Sequence, residues 1–309
     1  MPKIITVGEL LIDLISTEYA TDFRGADRYQ RLAGGSPANL AMNLARLGQD
    51  VGLIATVGND DAGTLLTETV RETGADVTHL ARVAEPTTLI LVTKSQAVSN
   101  FEPYRLADRH ISAAQLDRDY LAAAGILHTT AFALSQEPAR GNIIRAFTDA
   151  AATTDVVLST DFNYADKIWG GDRTAGLSAL RNLAAAGALV KVSDVDYERL
   201  FGEPATDHAA AAKRILGFGA RLVCLTLGGE GCYVATADEA FHLPARPVEV
   251  RDTTGAGDAF WAGFLAAFAN GHPAGTCARA GRSLAEQKLT VVGPVLRRQT
   301  VADLIAFSR

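Results

Sequence analysis

The sequence predicts an α/β fold in which a central, mostly parallel sheet carries helices on both faces. Short β-branched runs alternate along the chain with longer stretches rich in Ala and Leu at helical spacing. The 309 residues are 48% hydrophobic, which is enough to bury a sizeable core. Alternating strands and helices form βαβ units, whose strands pair in parallel and are covered on both faces.

The predicted elements follow one another in chain order. Strands are expected over residues 3–7, 51–57, 126–131, 156–161, 189–193 and 222–226. Helices are expected over residues 37–47, 62–73, 141–152, 174–186 and 208–216. Ser36 and Pro37 place an N-cap residue and a first-turn proline at the start of the first helix, and Gly48 follows its end.

Two regions break this alternation. Residues 13–32 and 87–111 contain strand-like runs without intervening helices, so we assign them to a small β-sheet that lies over one end of the large sheet as a lid. Residues 1–12, 33–86 and 112–309 then form the α/β core. Within it, residues 232–250 are expected to be antiparallel strands, and the chain becomes mostly helical from Gly255 onward.

Composition and charge exclude several classes of function. The net charge of −6, from 29 basic and 35 acidic residues, provides no basic footprint for nucleic acid or for a membrane surface. The 3 cysteines include no CxxC pair, which indicates a reducing, cytoplasmic environment. The apolar N-terminus carries Glu9 and Asp13 and lacks a signal peptide's basic region and cleavage site, so we expect a strand there.

The segment RDTTGAGDAF, residues 251–260, is the sharpest motif. Gly255, Ala256 and Gly257 directly precede Asp258 at the start of an apolar helical run, where backbone N–H groups and the helix dipole can hold an anion. Asp258 would then lie beside a bound phosphoryl group, positioned to accept a proton from an attacking hydroxyl. A glycine turn with Asp258 as a helix-capping residue fits the same letters, and the motif alone leaves both interpretations open.

DTTGAGDAF resembles the C-terminal signature of the ribokinase-like, or PfkB, family of carbohydrate kinases. GGSPAN, residues 34–39, is similar to that family's sugar-side motif, and the two lie in the expected order and separation. The resemblance covers essentially the whole chain and implies the ribokinase-like fold. It also implies that Asp258 is the catalytic base and that the N–H groups of Gly255, Ala256 and Gly257 stabilise the transferring phosphoryl group.

On the sugar side, the resemblance implies contacts from four residues near the first strand and first helix. Asp13 closes a segment, GELLID, that is similar to the family's first strand, and its carboxylate is suited to accept hydrogen bonds from a polyol. Gly34 and Gly35 would allow the backbone to approach the sugar closely, and Asn39 offers both a donor and an acceptor.

Two further segments resemble the fructokinase and ketodeoxygluconate kinase subgroup. NFEPYR, residues 100–105, is similar to a lid strand that presents an arginine to the sugar, which implies a substrate contact for Arg105. DFNYADKIW, residues 161–169, is similar to D-x-N-x-R-x-x-x-W and implies a contact for Asn163. Ala165 replaces the arginine of that pattern. Because a guanidinium is the natural clamp for a carboxylate or phosphate, its loss favours a neutral hexose.

On the nucleotide side, KVSDVD, residues 191–196, resembles the family's N-x-x-E segment with Ser for Asn and Asp for Glu. The resemblance implies that Lys191 and Ser193 bind the nucleotide and that Asp196 organises Mg²⁺, although a Ser-Asp helix cap fits the same residues. The loop TLGGEG, residues 226–231, is similar to the one that wraps the ribose and phosphates. It implies nucleotide contacts from Thr226, Gly228 and Gly231, in addition to Gly257.

These resemblances imply an ATP- and Mg²⁺-dependent kinase that phosphorylates a primary hydroxyl of a small sugar, with fructose as the first expectation. Ketodeoxygluconate, ribose and nucleosides are the alternative substrates. Outside the enzymes, a catalytically silent sugar or nucleotide sensor is the competing interpretation, although it would not need a base at Asp258. By family analogy alone, K⁺ would bind near Asp252 and Thr254. A homodimer paired through lid strands is also compatible with the sequence.

Overall fold

A computed structural model describes residues 3–94 and 100–307. Its strands are β1 (Lys3–Val7), β2 (Leu11–Ser16), β3 (Tyr29–Gly34), β4 (Val51–Ile54), β5 (Thr56–Gly58), β6 (Ala81–Val83), β7 (Leu89–Thr93), β8 (Asn100–Tyr104), β9 (Ala124–Thr130), β10 (Val157–Asp161), β11 (Leu189–Ser193), β12 (Leu222–Thr226), β13 (Cys232–Ala235) and β14 (Ala240–Leu243). Its helices are α1 (Ser36–Arg46), α2 (Asp61–Thr73), α3 (Arg118–Ala122), α4 (Ala139–Thr153), α5 (Asp166–Trp169), α6 (Arg173–Ala185), α7 (Asp194–Phe201), α8 (His208–Leu216), α9 (Ala256–Ala269), α10 (Ala274–Leu289) and α11 (Val301–Phe307).

The large sheet has the strand order β14-β13-β12-β11-β10-β9-β1-β4. Strands β4 to β12 of this order pair in parallel, and β13 and β14 extend the edge in antiparallel fashion. The predicted fold class is therefore confirmed. The single strand predicted over residues 51–57 is wrong in one respect, because the chain leaves the large sheet after Ile54 and β5 pairs with β6 in a separate sheet.

Helices cover both faces of the large sheet, as the alternation predicts. Ile5 and Leu127 pack into the hydrophobic layer beneath α4, α6 and α8. Their chain neighbours Ile4 and Ile126 pack into the opposite layer, beneath α1, α9 and α10. Successive strand residues point to opposite faces, so a strand buried on both faces must be apolar throughout rather than alternating.

The two regions that interrupt the alternation meet in a second, smaller sheet with the order β3-β2-β7-β8. β2 pairs with β3 and β7 with β8 in antiparallel fashion, whereas β2 and β7 are parallel. This sheet contains the strands predicted within residues 13–32 and 87–111, of which 95–99 lie outside the described residues. In the region 232–250, the strands end at Leu243, earlier than predicted.

Helix α9 is apolar on nearly every side because it is enclosed between the large sheet and α10. Neither α9 nor any other helix within residues 3–94 and 100–307 is long and apolar enough to cross a membrane. Gly263 faces α10 so closely that a Cβ atom there would lie 2.6 Å from the Ala280 carbonyl oxygen. This packing holds the middle of α9 close against α10 on one face of the large sheet.

We expect Gly263→Ala to lower the free energy of unfolding by about 1 to 2 kcal/mol, because overpacking against α10 outweighs the gain of roughly 1 kcal/mol in helix propensity. Gly275→Ala in α10 is the matched control, since its Cβ would meet nothing closer than 3.7 Å. Urea unfolding of both variants measures the difference. A Gly263→Ala protein more stable than the wild type would contradict the packing argument.

Candidate active site

The carboxyl ends of β10, β11 and β12 meet the amino end of α9 around a large cavity. Asp161, Ser193 and Thr226 are the last residues of those three strands, and Gly255 immediately precedes α9. The cavity measures about 800 Å³ and is open to the ends of all four elements. Open parallel sheets bind ligands at this edge, because polar loop ends converge there above an apolar core.

The turn before α9, residues 253–257, is the predicted anion turn and places three small residues at the start of the helix. Gly255 caps the helix in the left-handed region, with φ +75°, where a Cβ atom would be strained. The Ala256 N–H donates to the Thr253 carbonyl oxygen at 3.1 Å, so it is engaged within the turn itself. Gly257 lies one residue further into the helix, where the dipole favours a negative charge. The phosphoryl contacts of these three residues stay a prediction.

Asp258 is held by two donors from α1. Ser36 Oγ donates to its Oδ1 at 2.6 Å, and Asn39 Nδ2 donates to its Oδ2 at 2.8 Å. Burial raises the pKa of Asp258, and the negative charge of Asp161 raises it further. The two hydrogen-bond donors and the positive charge of Lys191 act to lower it, but the net shift is upward. The carboxylate is thereby oriented while it keeps lone pairs to accept a further proton.

Asp13 brings a second carboxyl group to the site from the small sheet. Burial raises its pKa to about 7, with a further contribution from the charge of Asp258. A Cβ atom on Gly34 would lie 1.9 Å from Asp13 Oδ2, so only glycine leaves room for this carboxyl group. Gly35 has φ +99° and packs against the Glu9 backbone. A Cβ atom on Gly35 would lie 2.3 Å from the Glu9 carbonyl oxygen. Gly34 therefore leaves room for the Asp13 carboxyl group, and Gly35 lets the start of α1 pack against Glu9.

A buried ion pair forms the floor of the large cavity. Lys191 Nζ donates to Asp161 Oδ2 at 2.7 Å, and both side chains are at most 5% exposed. Burial alone would lower the pKa of Lys191, but the charge and hydrogen bond of Asp161 hold it above its ordinary value. Lys191 Nζ also lies 3.2 Å from the position of a Cβ on Gly257. A fixed positive charge thus stands beside the anion turn.

Ser193 and Asp196 form the helix cap that the sequence offered as their alternative role. Ser193 Oγ accepts from the Asp196 N–H at 3.0 Å and donates to Asp196 Oδ2 at 2.6 Å. Burial raises the pKa of Asp196 to about 6. Both residues nevertheless face the large cavity, so capping and ligand contact are compatible.

A magnesium ion at this position would need ligands from the nucleotide. Within residues 3–94 and 100–307, no group of three or more His, Cys, Asp or Glu side chains is arranged to hold a metal ion. Mg²⁺ in kinases is typically bound by one or two carboxylates together with phosphates and water. Asp196 and the buried, unpartnered Oδ1 of Asp161 fit that pattern.

The other predicted nucleotide residues line the same cavity. The cavity wall includes Lys191, Ser193, Asp196, Thr226, Gly228, Gly231, Gly257 and Asp258. The structure therefore brings together all of the residues assigned to nucleotide and metal from sequence. Their contact with a nucleotide stays a prediction.

Arg105 and Asn163 have partners inside the protein. The Arg105 guanidinium is 4% exposed, pairs with Asp108, and donates to the Phe132 carbonyl oxygen and to Ser135. Asn163 Oδ1 accepts from the Phe132 N–H at 3.1 Å, while the residue lines the large cavity. A sugar contact from Arg105 would require exchange of these bonds, and it stays a prediction.

The sequence analysis missed two residues of the site. Ser36 was expected to be an N-cap, but Gly35 occupies that position without a side-chain cap. The Ser36 N–H donates to Glu9 Oε1 at 3.0 Å, and its hydroxyl donates to Asp258 rather than capping the helix. Asp161 pairs in register with Lys191 on the neighbouring parallel strand. The available signal for Asp161 was its position at the end of β10, next to β11, which carries Lys191.

The oxygens around Asp252, where K⁺ was expected, are already in use. Lys288 Nζ lies 2.9 Å from Asp252 Oδ2, and the Thr254 N–H donates to Asp252 Oδ1 at 3.0 Å. Burial acts to raise the pKa of Asp252. These hydrogen bonds and the charge of Lys288 outweigh burial and hold that pKa below its ordinary value. The residues present do not fit a bound monovalent cation.

Several known sugar kinases are similar to this chain in sequence and fold. The chain is 35% identical over 295 residues to a protein named ATP-dependent 6-phosphofructokinase from Thermoanaerobacterium thermosaccharolyticum, covering 95% of this chain and 89% of the relative. It is 33% identical over 265 residues to a fructokinase of Rhizobium leguminosarum bv. trifolii, covering 85% of this chain and 78% of the relative. The solved structure of Halothermothrix orenii fructokinase superposes with a TM-score of 0.79 at 30% identity, covering 95% of this chain and 100% of that chain.

The family described as pfkB family carbohydrate kinase matches residues 1–300. That match covers both sheets and every residue of the site described above. The chain therefore belongs to the pfkB family of carbohydrate kinases, which are ATP-dependent phosphotransferases.

Proposed function

We propose that this kinase transfers the γ-phosphoryl group of ATP to a primary hydroxyl of a ketohexose, with fructose as the preferred substrate. The observation that carries the proposal is the position of Asp258, which lines the large cavity and also interacts with Asp13 on the sugar side. A base at that boundary can take a proton from a hydroxyl aimed at the nucleotide. The fructokinases among the relatives support fructose as the acceptor.

In this mechanism, Asp258 accepts the proton of the attacking hydroxyl while Ser36 and Asn39 keep its carboxylate oriented. The anion turn and Lys191 stabilise the charge on the transferring phosphoryl group. Asp196 would hold Mg²⁺ together with the nucleotide phosphates, and the ion would neutralise their charge. Little covalent chemistry is required of the protein, because positioning and fixed charge supply most of the catalysis of phosphoryl transfer.

The small sheet is proposed to act as a lid over the sugar. Asp13 lies on β2 of this sheet, where burial raises its pKa and the charge of Asp258 on the core adds to that effect. A lid that closes on bound sugar excludes water, which would otherwise compete as phosphoryl acceptor.

Fructose 6-phosphate is a second candidate substrate. A smaller cavity of about 210 Å³ joins Asp13 and Asn39 to two arginines, Arg31 and Arg46. Within the described ranges of the chain, neither guanidinium makes a hydrogen bond or an ion pair. Free guanidinium groups near a sugar site suit a substrate phosphate, and the relative named 6-phosphofructokinase supports the same substrate.

Asp258→Asn should lower kcat by about 10² to 10⁴, the usual worth of a general base, because the amide cannot accept the proton. KM values for ATP and sugar should stay within a few-fold of the wild type. Ser283→Ala is a matched control, since Ser283 is a buried side chain of α10 whose hydroxyl has no partner. Steady-state kinetics of the folded variants measure the effect. Turnover near the wild-type rate in Asp258→Asn would remove this residue from the mechanism.

Because Ala165 provides no guanidinium, kcat/KM for fructose should exceed that for ketodeoxygluconate by about ten- to a hundredfold, the worth of one charge-assisted contact. An ADP-release assay over fructose, fructose 6-phosphate, ketodeoxygluconate and ribose gives the ranking. Preference for ketodeoxygluconate would contradict the fructose proposal. Preference for fructose 6-phosphate, lost in Arg46→Ala, would establish the second candidate in its place.

The pKa of Asp13, raised to about 7, predicts a pH-dependent affinity for sugar. Below that pH the carboxyl group is protonated, so kcat/KM for sugar should fall by about tenfold per pH unit while KM for ATP stays constant. In Asp13→Asn, the remaining limb should move to lower pH, because Asp258 then ionises without the additional negative charge of Asp13. Profiles between about pH 5 and pH 9 test this. An unchanged limb in the variant would assign the titration to another group.

A further inference from the structure

Lys288 carries a buried ammonium group that three oxygens surround. The residue lies in the last turn of α10, and its side chain is 6% exposed. Nζ lies 2.9 Å from Asp252 Oδ2, 3.3 Å from the Asp252 carbonyl oxygen and 3.2 Å from the Val291 carbonyl oxygen. Lysine has three N–H donors, so each of them has an acceptor here.

This ammonium group stands directly behind the anion turn. Asp252 begins the segment that leads to Gly255, and its carboxylate also accepts the N–H groups of Thr254 at 3.0 Å and Gly293 at 3.2 Å. A Cβ atom on Gly255 would lie 4.0 Å from Lys288 Cε. Lys288 therefore joins the end of α10 to the loop that forms the phosphoryl site.

A lysine in the last turn of a helix commonly interacts with that helix's own terminal carbonyl groups. The contact with the Val291 carbonyl oxygen, two residues beyond the end of α10, is a local contact of this kind. Such a role does not explain the two contacts with Asp252, which is 36 residues away in sequence. A buried charge costs stability unless hydrogen bonds satisfy it fully. For Lys288, two of the three hydrogen bonds go to Asp252, which immediately precedes the anion turn.

We infer that the Lys288 ammonium group replaces a monovalent cation behind the anion turn, so that this kinase works without K⁺. Two backbone carbonyls and a carboxylate form the kind of oxygen cage that binds K⁺, and an ammonium group is close to K⁺ in size. Nζ already lies among these three oxygens. A second cation there would therefore overlap with the ammonium group and be repelled by its charge. The tethered charge fixes the 252–255 loop permanently.

The first test measures wild-type activity with K⁺, Na⁺ or tetramethylammonium as the monovalent cation, at equal ionic strength. ADP is quantified directly by chromatography, so that no coupling enzyme adds its own need for K⁺. We expect equal rates in all three salts. Activation of the wild type by K⁺ of about tenfold or more, the worth of one well-placed charge, would overturn the inference.

Lys288→Ala removes the charge and opens space from the smaller cavity, whose lining includes Asp252, Thr254 and Lys288. In tetramethylammonium this variant should lose about ten- to a hundredfold in kcat/KM, as expected when charged hydrogen bonds are removed. Added K⁺ should restore most of the loss with a saturable dependence. Lys288→Met, which removes the charge but fills the space, should lose activity without rescue.

Thermal unfolding in the same salts, without substrate, is the second readout. The activity arm rests on the proposed function, whereas melting does not, so the two can fail separately. K⁺ should raise the melting temperature of Lys288→Ala by a few degrees relative to tetramethylammonium and leave the wild type unchanged. A folded Lys288→Ala protein that gains neither activity nor stability from K⁺ would show that Lys288 is only a structural residue. If that variant does not fold, the wild-type salt comparison still decides.

Discussion

The balance of charge around Asp258 is the constraint on which the site depends. Asp13, Asp161, Asp196 and Asp258 converge with one buried lysine, and burial raises the pKa of Glu9 to about 8, of Asp13 to about 7 and of Asp196 to about 6. Folding therefore binds these protons more tightly than the unfolded chain does. The stability they contribute below their ordinary pKa values is lost as the pH rises through 6 to 8. Near neutral pH, the fold carries a cost for keeping several carboxyl groups in the site.

Hydrogen bonds and helix packing hold this cluster of carboxyl groups in position. Thr130 Oγ1 and the Ser36 N–H donate to the two carboxyl oxygens of buried Glu9, which ties the end of β9 to the start of α1. α1 then supplies both donors to Asp258. Helix α9, enclosed between sheet and α10, fixes Asp258 from the other side. The Asp258 carboxyl group is thus positioned by helix packing and by two hydrogen bonds from α1 rather than by a loop, which suits a preorganised site.

The elements that follow a hydrophobic pattern could be predicted from the sequence. β1, β11 and β12 lie where the hydrophobic runs placed them, because strands buried on both faces read as continuous apolar segments. Sequence reasoning could not place Ser36 on Asp258, since the two are 222 residues apart and the same letters describe an ordinary N-cap. Nor could it see that Arg105 pairs with Asp108, because pairing across a loop depends on side-chain direction rather than on spacing.

The position of Asp13 on the small sheet and of Asp258 on α9 has a mechanical consequence. The charge of Asp258 raises the proton affinity of Asp13, and the two groups repel each other when both are ionised, so the repulsion acts between the small sheet and helix α9. In the proposed mechanism, this repulsion favours separation of the small sheet from the core before sugar binds. A polyol whose hydroxyl groups donate to both carboxylates converts that repulsion into a bridge. Under the proposed function, the substrate would hold the two halves of the site together, and its departure as product would release them.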